Sequence, residues 1–473
     1  MSTVYGKPYI RKKREHPAKI IIRPARKRRF ESADQNRLTA DWKLGSENIN
    51  QLIRSSLTTL RTRSRDLWQN DDYVKSFGRR LKSNVVGSQG ITLQNRATRG
   101  KRLDEETNSR IEKAFEEWSK PKNCTVTGQL SRQDFETYLI ETVARDGEAL
   151  IKKVVGFDNE FGFALQYIPA EMLDVRLNKK LRNGNEVING VEYNTYFRPV
   201  FYWIKKSRSE YANSHERVNA DSIQHLFSRD LGMDQSRGVP WTHTAILRLR
   251  NLGAYEEAAI VASRVGASGM GFIATNDDPD TRYQGDEEYD DGAYLDEVAP
   301  GEWIDLPPGK KPYTYNPAYP QINHGDFMKA VLRGVSSGLG INYNSMTGDL
   351  EGVNYSSIRQ GVLDDRDVYK LITKWLTTHH NSDYYNQWLS MAIMNGKINL
   401  PLGLIEKFSS DTWVGRGFDW VDPSKDVDAK IKEKNQYFTS PQRIIREKGL
   451  DPDEVLNEHV AWREMLKDKA YRS

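Results

Sequence analysis

The pattern of apolar and polar positions divides the chain into helical and β-rich stretches. From residue 48 onward, apolar residues recur at helical spacing, at Ile49, Leu52, Ile53, Leu57 and Leu60. Off that stripe lie Arg54, Arg61, Arg63 and Arg65. We therefore predict an amphipathic helix with one basic side. A second helix is predicted over residues 103–118, and a third after the N-cap candidate Ser131, with Asp134 at its third position.

Between residues 147 and 204 the pattern changes to short β-rich runs separated by turn residues. The runs cover residues 149–151, 163–168, 190–193 and 199–204. This combination predicts a small antiparallel sheet beside helices, and therefore an α+β fold. Asp146 and Glu148 flank the start of the first run. Because no positioned histidine or metal-ligand cluster accompanies them, we interpret both as capping or surface charges.

A long helix is predicted over residues 242–270, which would span about 40 Å. Its second half is dominated by small residues, which lower helix propensity at the glycines and allow another backbone to approach closely. A helix buried inside one subunit would normally carry more Leu and Ile, so we favour packing between subunits. The residues expected at that contact are Ala258, Ala259, Ala262, Ser263, Gly266 and Ala267.

The chain after this helix is polar and acidic over residues 276–296. A carboxylate run of this kind could bind a divalent cation, but its spacing matches no EF-hand, so a solvated loop is favoured. Residues 303–306 and 312–315 predict a strand pair returning from the loop. Another helix is predicted over residues 327–340, after this strand pair. After a Gly- and Asn-rich loop, a further helix is expected, capped by Ser356 or Ser357.

The helix that follows this loop has apolar residues predicted on its buried face and charged residues predicted on its outer face. The apolar residues are Ile358, Val362, Leu371, Ile372, Trp375 and Leu376, and the charged residues are Asp364, Asp365, Arg366 and Asp367. His379 and His380 follow as neighbours that point in different directions on a helix. No further ligand converges on them in the sequence, so a zinc site is not expected. We expect no metal, cofactor or catalytic residue in this chain.

Composition restricts the class of protein further. Cys124 is the single cysteine of 473 residues, which excludes an intrachain disulfide and fits a reducing compartment such as a cytoplasm. No apolar run approaches the roughly 18 residues of a membrane span, and no signal peptide is recognisable, so a soluble protein without a membrane partner is expected. The chain has no P-loop motif and therefore is not itself a P-loop ATPase.

Basic charge is concentrated at the N-terminus. The chain has 70 basic and 65 acidic residues, a formal charge of +5, and eleven of the basic residues lie within residues 1–30 beside the single acid Glu15. The rest of the chain is therefore net acidic. Two interpretations stay open for this arm: contact with phosphates or an acidic partner through counterion release, or a solvated tail without a specific target.

A series of motifs resembles the lambda-type family of tailed-phage portal proteins, in the order in which that family carries them. The opening motif is the Arg-rich stretch of residues 65–73, which runs on to a glycine-punctuated end at residues 84–91. The other matching motifs lie at residues 145–149, 165–171, 189–193, 198–200, 269–273, 353–359 and 420–425. Each motif alone is weak, but their joint occurrence in order identifies a member of this family.

The resemblance implies a portal fold with long stem helices, a small mixed or antiparallel β-rich wing, an α/β clip and a helical C-terminal crown. The basic arm at residues 1–40 is expected to be flexible. The wing is expected over 41–239, the first stem helix over 240–270 and the clip over 271–322. The second stem helix would cover 323–340, the tunnel loop and long wing helix 341–400, and the C-terminal wing and crown helices 401–473.

The resemblance also implies a function. Twelve copies would form a ring at one capsid vertex in the virion after assembly in the host cytoplasm, and the ring would conduct double-stranded DNA. Expected partners are the large terminase subunit, capsid and scaffold proteins, and neck proteins. The candidate channel residues are Arg248, Lys329, Arg333, Asn342, Tyr343, Asn344 and Asp349. The candidate terminase-facing or neck-facing clip residues are Asp286, Glu287, Glu288, Asp290 and Asp291.

Two other classes of protein stay open as alternatives. A nucleic-acid-binding adaptor would use the basic arm and would lose binding at high salt without forming rings. A metal-dependent nuclease would use carboxylates such as those of residues 286–291, and its turnover would require Mg²⁺.

Overall fold

The computed structural model describes residues 48–100, 102–207, 214–267, 271–275, 310–314, 324–418 and 423–470. They belong to one compact unit that begins at Asn48. The basic arm and the acidic run at 276–296 lie outside the described residues.

Fourteen α-helices are present in the described part of the chain. In order, α1 to α7 are Ile49–Asn70, Asp72–Leu81, Glu105–Trp118, Pro121–Cys124, Arg132–Asp146, Ile246–Ala267 and His324–Leu339. Helices α8 to α14 are Tyr343–Thr347, Tyr355–Leu376, Ser382–Met394, Ile405–Phe408, Pro423–Asn435, Pro441–Glu447 and Pro452–Ala470. A π-helical turn, Thr377–Asn381, joins α9 directly to α10.

The strands of the described residues form five antiparallel sheets. Strands β1 to β7 are Thr92–Asn95, Thr98–Arg99, Arg102–Leu103, Glu148–Val155, Phe163–Ile168, Lys179–Lys180 and Glu186–Ile188. Strands β8 to β14 are Val191–Tyr193, Pro199–Lys205, His215–Asn219, Ile223–Phe227, Gly271–Thr275, Lys310–Thr314 and Asp411–Val414. The two larger sheets have the orders β11-β4-β5 and β10-β9-β8-β7-β6, and the remaining strands pair in twos. The predicted α+β class is confirmed.

Local signals in the sequence explain how several elements begin and end. Ser131 forms the predicted capping box with Asp134 at the start of α5, and Gly147 ends that helix in the left-handed conformation, with φ of 89°. Ser440 caps α13 ahead of Pro441. Helix α9 is different, because its cap is Asn354, whose side chain accepts from the N–H of Ser357, and neither Ser356 nor Ser357 is the cap.

An aromatic cluster forms the centre of the larger core. Phe115 on α3 packs edge-on against Trp388 on α10, with ring centroids 4.8 Å apart. The indole N–H of Trp118 donates to the carbonyl of Phe163 on β5 at 2.9 Å. Cys124 is fully buried within the same core. Helices α3 and α10 and strand β5 are thereby joined although they are distant in sequence.

The prediction that Asp146 and Glu148 are surface or capping charges is wrong. Both side chains are completely buried and paired with arginines. Arg237 Nε donates to both carboxylate oxygens of Glu148 at 2.9 Å, and Arg61 Nη2 donates at 2.9 Å. Burial alone would raise the pKa of Glu148, but Arg237, His225 and Arg61 outweigh it and hold that pKa well below its ordinary value.

The second carboxylate is paired in the same way. Arg65 donates two hydrogen bonds of 2.8 and 2.9 Å to the Asp146 carboxylate, and Arg145 donates two more of 3.0 Å. Arg61 is therefore not part of a solvated basic side. The buried stripe of α1 runs through Ile53, Leu57 and Arg61, whereas Leu52, which was predicted to be apolar core, is 44% exposed.

Two further sequence predictions are corrected. Asp365, placed on the outside of α9, is buried and accepts from the N–H of Asn342 at 2.7 Å, while Leu371, placed on the apolar face, is 73% exposed. The strand predicted over residues 312–315 is seen as Lys310–Thr314, and it pairs with Gly271–Thr275. The run at 303–306 lies outside the described residues.

Candidate functional site

Helices α6 and α7 lie side by side and run antiparallel. Arg248, near the start of α6, lies against Gly334, which is late in α7. Further along α6, the ring of Tyr255 lies 5.2 Å from that of His324 and 4.8 Å from that of Phe327, at the start of α7. A Cβ at position 334 would lie 2.4 Å from a guanidinium nitrogen of Arg248, so the two helices approach closely at this point. The two helices predicted as stem helices are therefore neighbours.

A cluster of charges forms where α7 meets the segment that follows α8. The ammonium of Lys329 lies 2.8 Å from a carboxylate oxygen of Glu351 and 3.8 Å from one of Asp349. One turn along α7, the guanidinium of Arg333 lies 5.5 Å from the ring centroid of Tyr343, in a cation–π arrangement. The hydrogen bond to Glu351 and its charge raise the pKa of Lys329 above the usual value.

Tyr343 and Asp349 tie the short helix α8 to the loop behind it. The phenol of Tyr343 donates to Asp349 Oδ2 at 2.8 Å. The N–H of Glu351 also donates to Asp349, at 3.0 Å, and these two hydrogen bonds lower the pKa of the Asp349 carboxyl. Partial burial, and then the hydrogen bond to Asp349 and the charge of that carboxylate, raise the pKa of Tyr343. The phenol therefore stays protonated and the carboxyl ionised near neutral pH.

Two asparagines of the candidate set act on the backbone. Asn342 caps α8 by accepting from the N–H of Asn344 at 3.1 Å, and its own N–H donates to Asp365. The carbonyl of Asn344 accepts from Gly348 at 2.9 Å. These contacts show both residues shaping the turn, and Asn342 also fits closely against Gly361 on α9.

The loop between α8 and α9 has a glycine at each end of its charged part. Gly348 and Gly352 have φ of 75° and 66°, conformations that other residues seldom adopt. Between them, Asp349 and Glu351 face Lys329, while Leu350 is 61% exposed. The sequence prediction included Asp349 and missed Glu351. The sequence could have indicated Glu351, because it is a second carboxylate two residues after Asp349.

The arrangement suits weak contact with a polyanion. Arg248 and Arg333 are exposed and Lys329 is half-buried, so cationic groups can reach an anion from this surface. Glu351 and Asp349 already balance much of the positive charge beside Lys329. A surface of this kind binds phosphates less tightly than an uncompensated basic patch.

The small residues of α6 do not form one uniformly exposed stripe. Ala258 is exposed, Ala259 is buried, Ala262 is half-buried, and the hydroxyl of Ser263 donates to the carbonyl of Ala259 at 2.8 Å. Gly266 and Ala267 lie in the last turn of the helix. The neighbouring Ile260 and Val261 are 52% and 50% exposed, so this face is more apolar than the small residues alone indicate.

The predicted clip residues Asp286, Glu287, Glu288, Asp290 and Asp291 lie outside the described residues. Within the described ranges, no group of three or more His, Cys, Asp or Glu side chains could hold a metal ion. None of the helices in that part of the chain is both long and apolar enough to cross a membrane.

Comparison with known proteins identifies the class. The sequence model described as "Phage portal protein, lambda family" matches residues 35–372. A "Probable portal protein" of Halomonas phage phiHAP-1 is 34% identical over 456 residues, which is 92% of this chain and 87% of the relative. The chain therefore belongs to the lambda family of phage portal proteins. The adaptor and nuclease alternatives are not favoured.

The solved structures that match this chain are more distant in sequence. The structure "Neck of empty GTA particle computed with C6 symmetry" has a TM-score of 0.47 and 15% identity, over 86% of this chain and 95% of that chain. An HK97-family phage portal protein from Corynebacterium diphtheriae has a TM-score of 0.31 and 9% identity, over 64% of this chain and 84% of that chain. At these scores the likeness supports no conclusion about this chain.

Proposed function

We propose that twelve copies of this chain form a closed ring at one vertex of a phage capsid, and that double-stranded DNA passes through the ring during packaging and ejection. The observation that carries this proposal is the match to the portal family over residues 35–372, which includes the whole α6–α7 pair and the charged loop beside it. The ring would be a conduit without a catalytic role.

Within this ring, α6 and α7 would be the stem helices and the loop after α8 would be the tunnel loop. The segment between the two helices would be the clip. Residues 41–239 and part of the C-terminal half would form the wing, and the last helices would form the crown. The antiparallel contact between α6 and α7 supports the stem assignment, because a chain that enters the clip must return along the same path.

Arg248, Lys329 and Arg333 would face the DNA, with Tyr343 and Asp349 holding the loop that carries the opposing charge. Tight binding at every subunit would stall a moving duplex, since each neutralised phosphate adds to affinity. Pairing of Lys329 with Glu351 and Asp349 supports a transient contact.

The remaining partners follow from the same function. The acidic residues 286–291 would meet the large terminase subunit during packaging and the neck proteins afterwards. Capsid and scaffold proteins would surround the wing. The assembled ring would belong to the virion after assembly in the host cytoplasm.

Negative-stain electron microscopy of the purified chain, with light-scattering mass on the same sample, tests the ring. We expect rings with a central hole and a mass near twelve subunits. A monomer or dimer that persists across salt and protein concentration would contradict the proposal. Loss of DNA binding at high salt without any ring would instead favour the adaptor.

A further inference from the structure

The two larger sheets share a hydrophobic core and leave a groove of about 340 Å³ at one end of it. Strands β4 and β5 line one side, and the end of β9 and the start of β10 line the other. Leu150 and Ile168 contribute to the core from the first sheet, and Ile204 and Val218 from the second.

The inward faces of both sheets change from apolar to charged or polar at this end. Because side chains alternate along a strand, Lys152 lies on the same face as Leu150, and it pairs across the sheet with Gln166. In the second sheet, Glu216 pairs with Ile204, and Lys206 follows Ile204 by two residues. All four polar residues line the groove.

The lysines of this groove differ from the other lysines that are not exposed. The described residues contain six lysines that are half-buried or buried: Lys82, Lys152, Lys153, Lys205, Lys329 and Lys430. Four of them have a carboxylate within ion-pair distance. The two that have none among the described residues are Lys152 and Lys205, and both line the groove. An anion bound in the groove would give these two lysines the ion pairs that they lack among the described residues.

We propose that this groove binds an acidic segment of another protein, in which carboxylates flank one apolar side chain. Lys152 and Lys205, with the exposed Lys206, would pair with the carboxylates. The apolar side chain would lie on Ile204 and Met172, which also line the groove. The inference does not depend on the ring or on the DNA channel.

Peptide fits this site better than nucleic acid does. A DNA duplex is too bulky to enter a groove with a volume of about 340 Å³, so it could reach only the rim. The apolar floor offers nothing to a phosphate and suits a leucine or phenylalanine side chain.

Fluorescence anisotropy with the full chain tests the proposal. The probe is a fluorescein-labelled nonapeptide with a central leucine between aspartates and glutamates. We expect saturable binding that weakens at least tenfold in the double variant Lys152→Gln, Lys205→Gln. A peptide with lysines in place of the acids is expected not to bind.

The matched control is the double variant Lys75→Gln, Lys374→Gln, which removes two exposed lysines elsewhere and lowers the net charge equally. We expect it to bind the acidic peptide within twofold of wild type, and all proteins to unfold at similar urea concentrations. Equal loss in both double variants, or no loss in the groove variant, would overturn the proposal.

Two other results would also overturn it. One is no saturable binding of the acidic peptide to wild type up to about 1 mM. The other is a 20-base-pair DNA duplex that competes with the peptide and depends on the same two lysines, which would make the groove a nucleic-acid site.

Discussion

Glu148 connects parts of the chain that are far apart in sequence. It pairs with Arg61 on α1 and Arg237 before α6, lies 2.9 Å from Nε2 of His225 on β11, and accepts from the N–H of Gly238 at 3.0 Å. All these groups lie in a region where water does not reach the carboxylate. Each arginine therefore depends on this carboxylate for its counter-charge.

Glu148→Ala is expected to lower the free energy of unfolding by about 3–5 kcal/mol, because it leaves Arg61 and Arg237 buried without a counter-charge. Urea denaturation followed by tryptophan fluorescence measures the change. Glu116→Ala, at an exposed site on α3, is the control and is expected to change stability by less than about 0.5 kcal/mol. A similar small change for Glu148→Ala would mean that the buried pairing contributes little.

Glu112 makes stability depend on pH near neutrality. Burial, and then the charges of Asp451 and Asp453, raise the pKa of its carboxyl to about 7, although the N–H of Asn95 donates to it at 2.7 Å. A carboxyl whose pKa is raised by folding destabilises the fold above that pKa. This cost disappears as the pH falls through 7 toward the unfolded value.

Glu112→Gln is therefore expected to stabilise the protein at pH 8 by about 1 kcal/mol, a value reduced because the carboxyl is partly exposed. The gap between variant and wild type should close by about pH 4.5. Thermal melts at a series of pH values check this. A gap that is independent of pH would exclude the carboxyl as its origin.

Sequence reasoning failed most clearly on single charged residues. Asp146 and Glu148 have no positioned histidine or metal-ligand cluster beside them in the sequence, which favours a capping or surface role. Glu148 is paired with Arg61 and Arg237, which are 87 and 89 residues away, and Asp146 is paired with Arg65, which is 81 residues away. No local pattern contains that information. The same holds for Asp365, whose partner Asn342 lies 23 residues earlier.

At the scale of elements, the end of α5 packs directly on another backbone. Gly147 has φ of 89°, and a Cβ there would lie 2.5 Å from the carbonyl carbon of Val239 and 2.7 Å from the nitrogen of Pro240. A Cβ on Gly238 would in turn collide with the carbonyl of Gly147. The two glycines therefore allow the approach to α6 to pass closely over the start of β4.

Gly147→Ala is expected to lower the free energy of unfolding by about 2–4 kcal/mol, from backbone strain plus the clash with residues 239 and 240. Gly156→Ala is the matched control, because Gly156 has φ of 76° and open space around it. That change should cost only about 1 kcal/mol. Equal losses in urea denaturation would show that the close approach adds nothing to the strain.

Periodicity was a good guide to the existence of elements. Strand β5 covers the predicted 163–168, and β9 covers the predicted 199–204 with one residue more. Helix ends were less predictable, because Asn354 and the serines at 356 and 357 all favour a cap and only the fold selects one. The partner of the strand at 310–314 was missed because pairing across an intervening segment leaves no local pattern.

At the scale of the molecule, subunit packing through α6 stays a prediction that one substitution can test. Ala258→Trp places a large ring at an exposed position on the small-residue half of this helix, so the subunit should still fold. We expect rings to be lost while the tryptophan-monitored unfolding midpoint of the subunit changes little. Glu116→Trp on α3 is the control and should leave rings intact. Intact rings in Ala258→Trp would exclude close backbone approach at this position.

The family was recognisable from the sequence because several of its motifs occur along the chain in the family's order. The α+β class followed from the change of period between residues 147 and 204. The groove between the two large sheets was not predictable, because Lys152, Gln166, Lys206 and Glu216 come together only through strand register. The residues that contact a neighbouring subunit were likewise not predictable, because such a contact involves the surfaces of two chains.

Cys124 offers a practical advantage for labelling. It is the single cysteine of the chain, its side chain is fully enclosed, and burial raises the pKa of its thiol far above the ordinary value. Maleimide reagents need an accessible thiolate, so the native chain should remain unlabelled while folded. A cysteine introduced at any exposed position would then be the one reactive thiol per subunit. Dyes or cross-linkers can thus be placed one residue at a time on the native background, without first removing a core side chain.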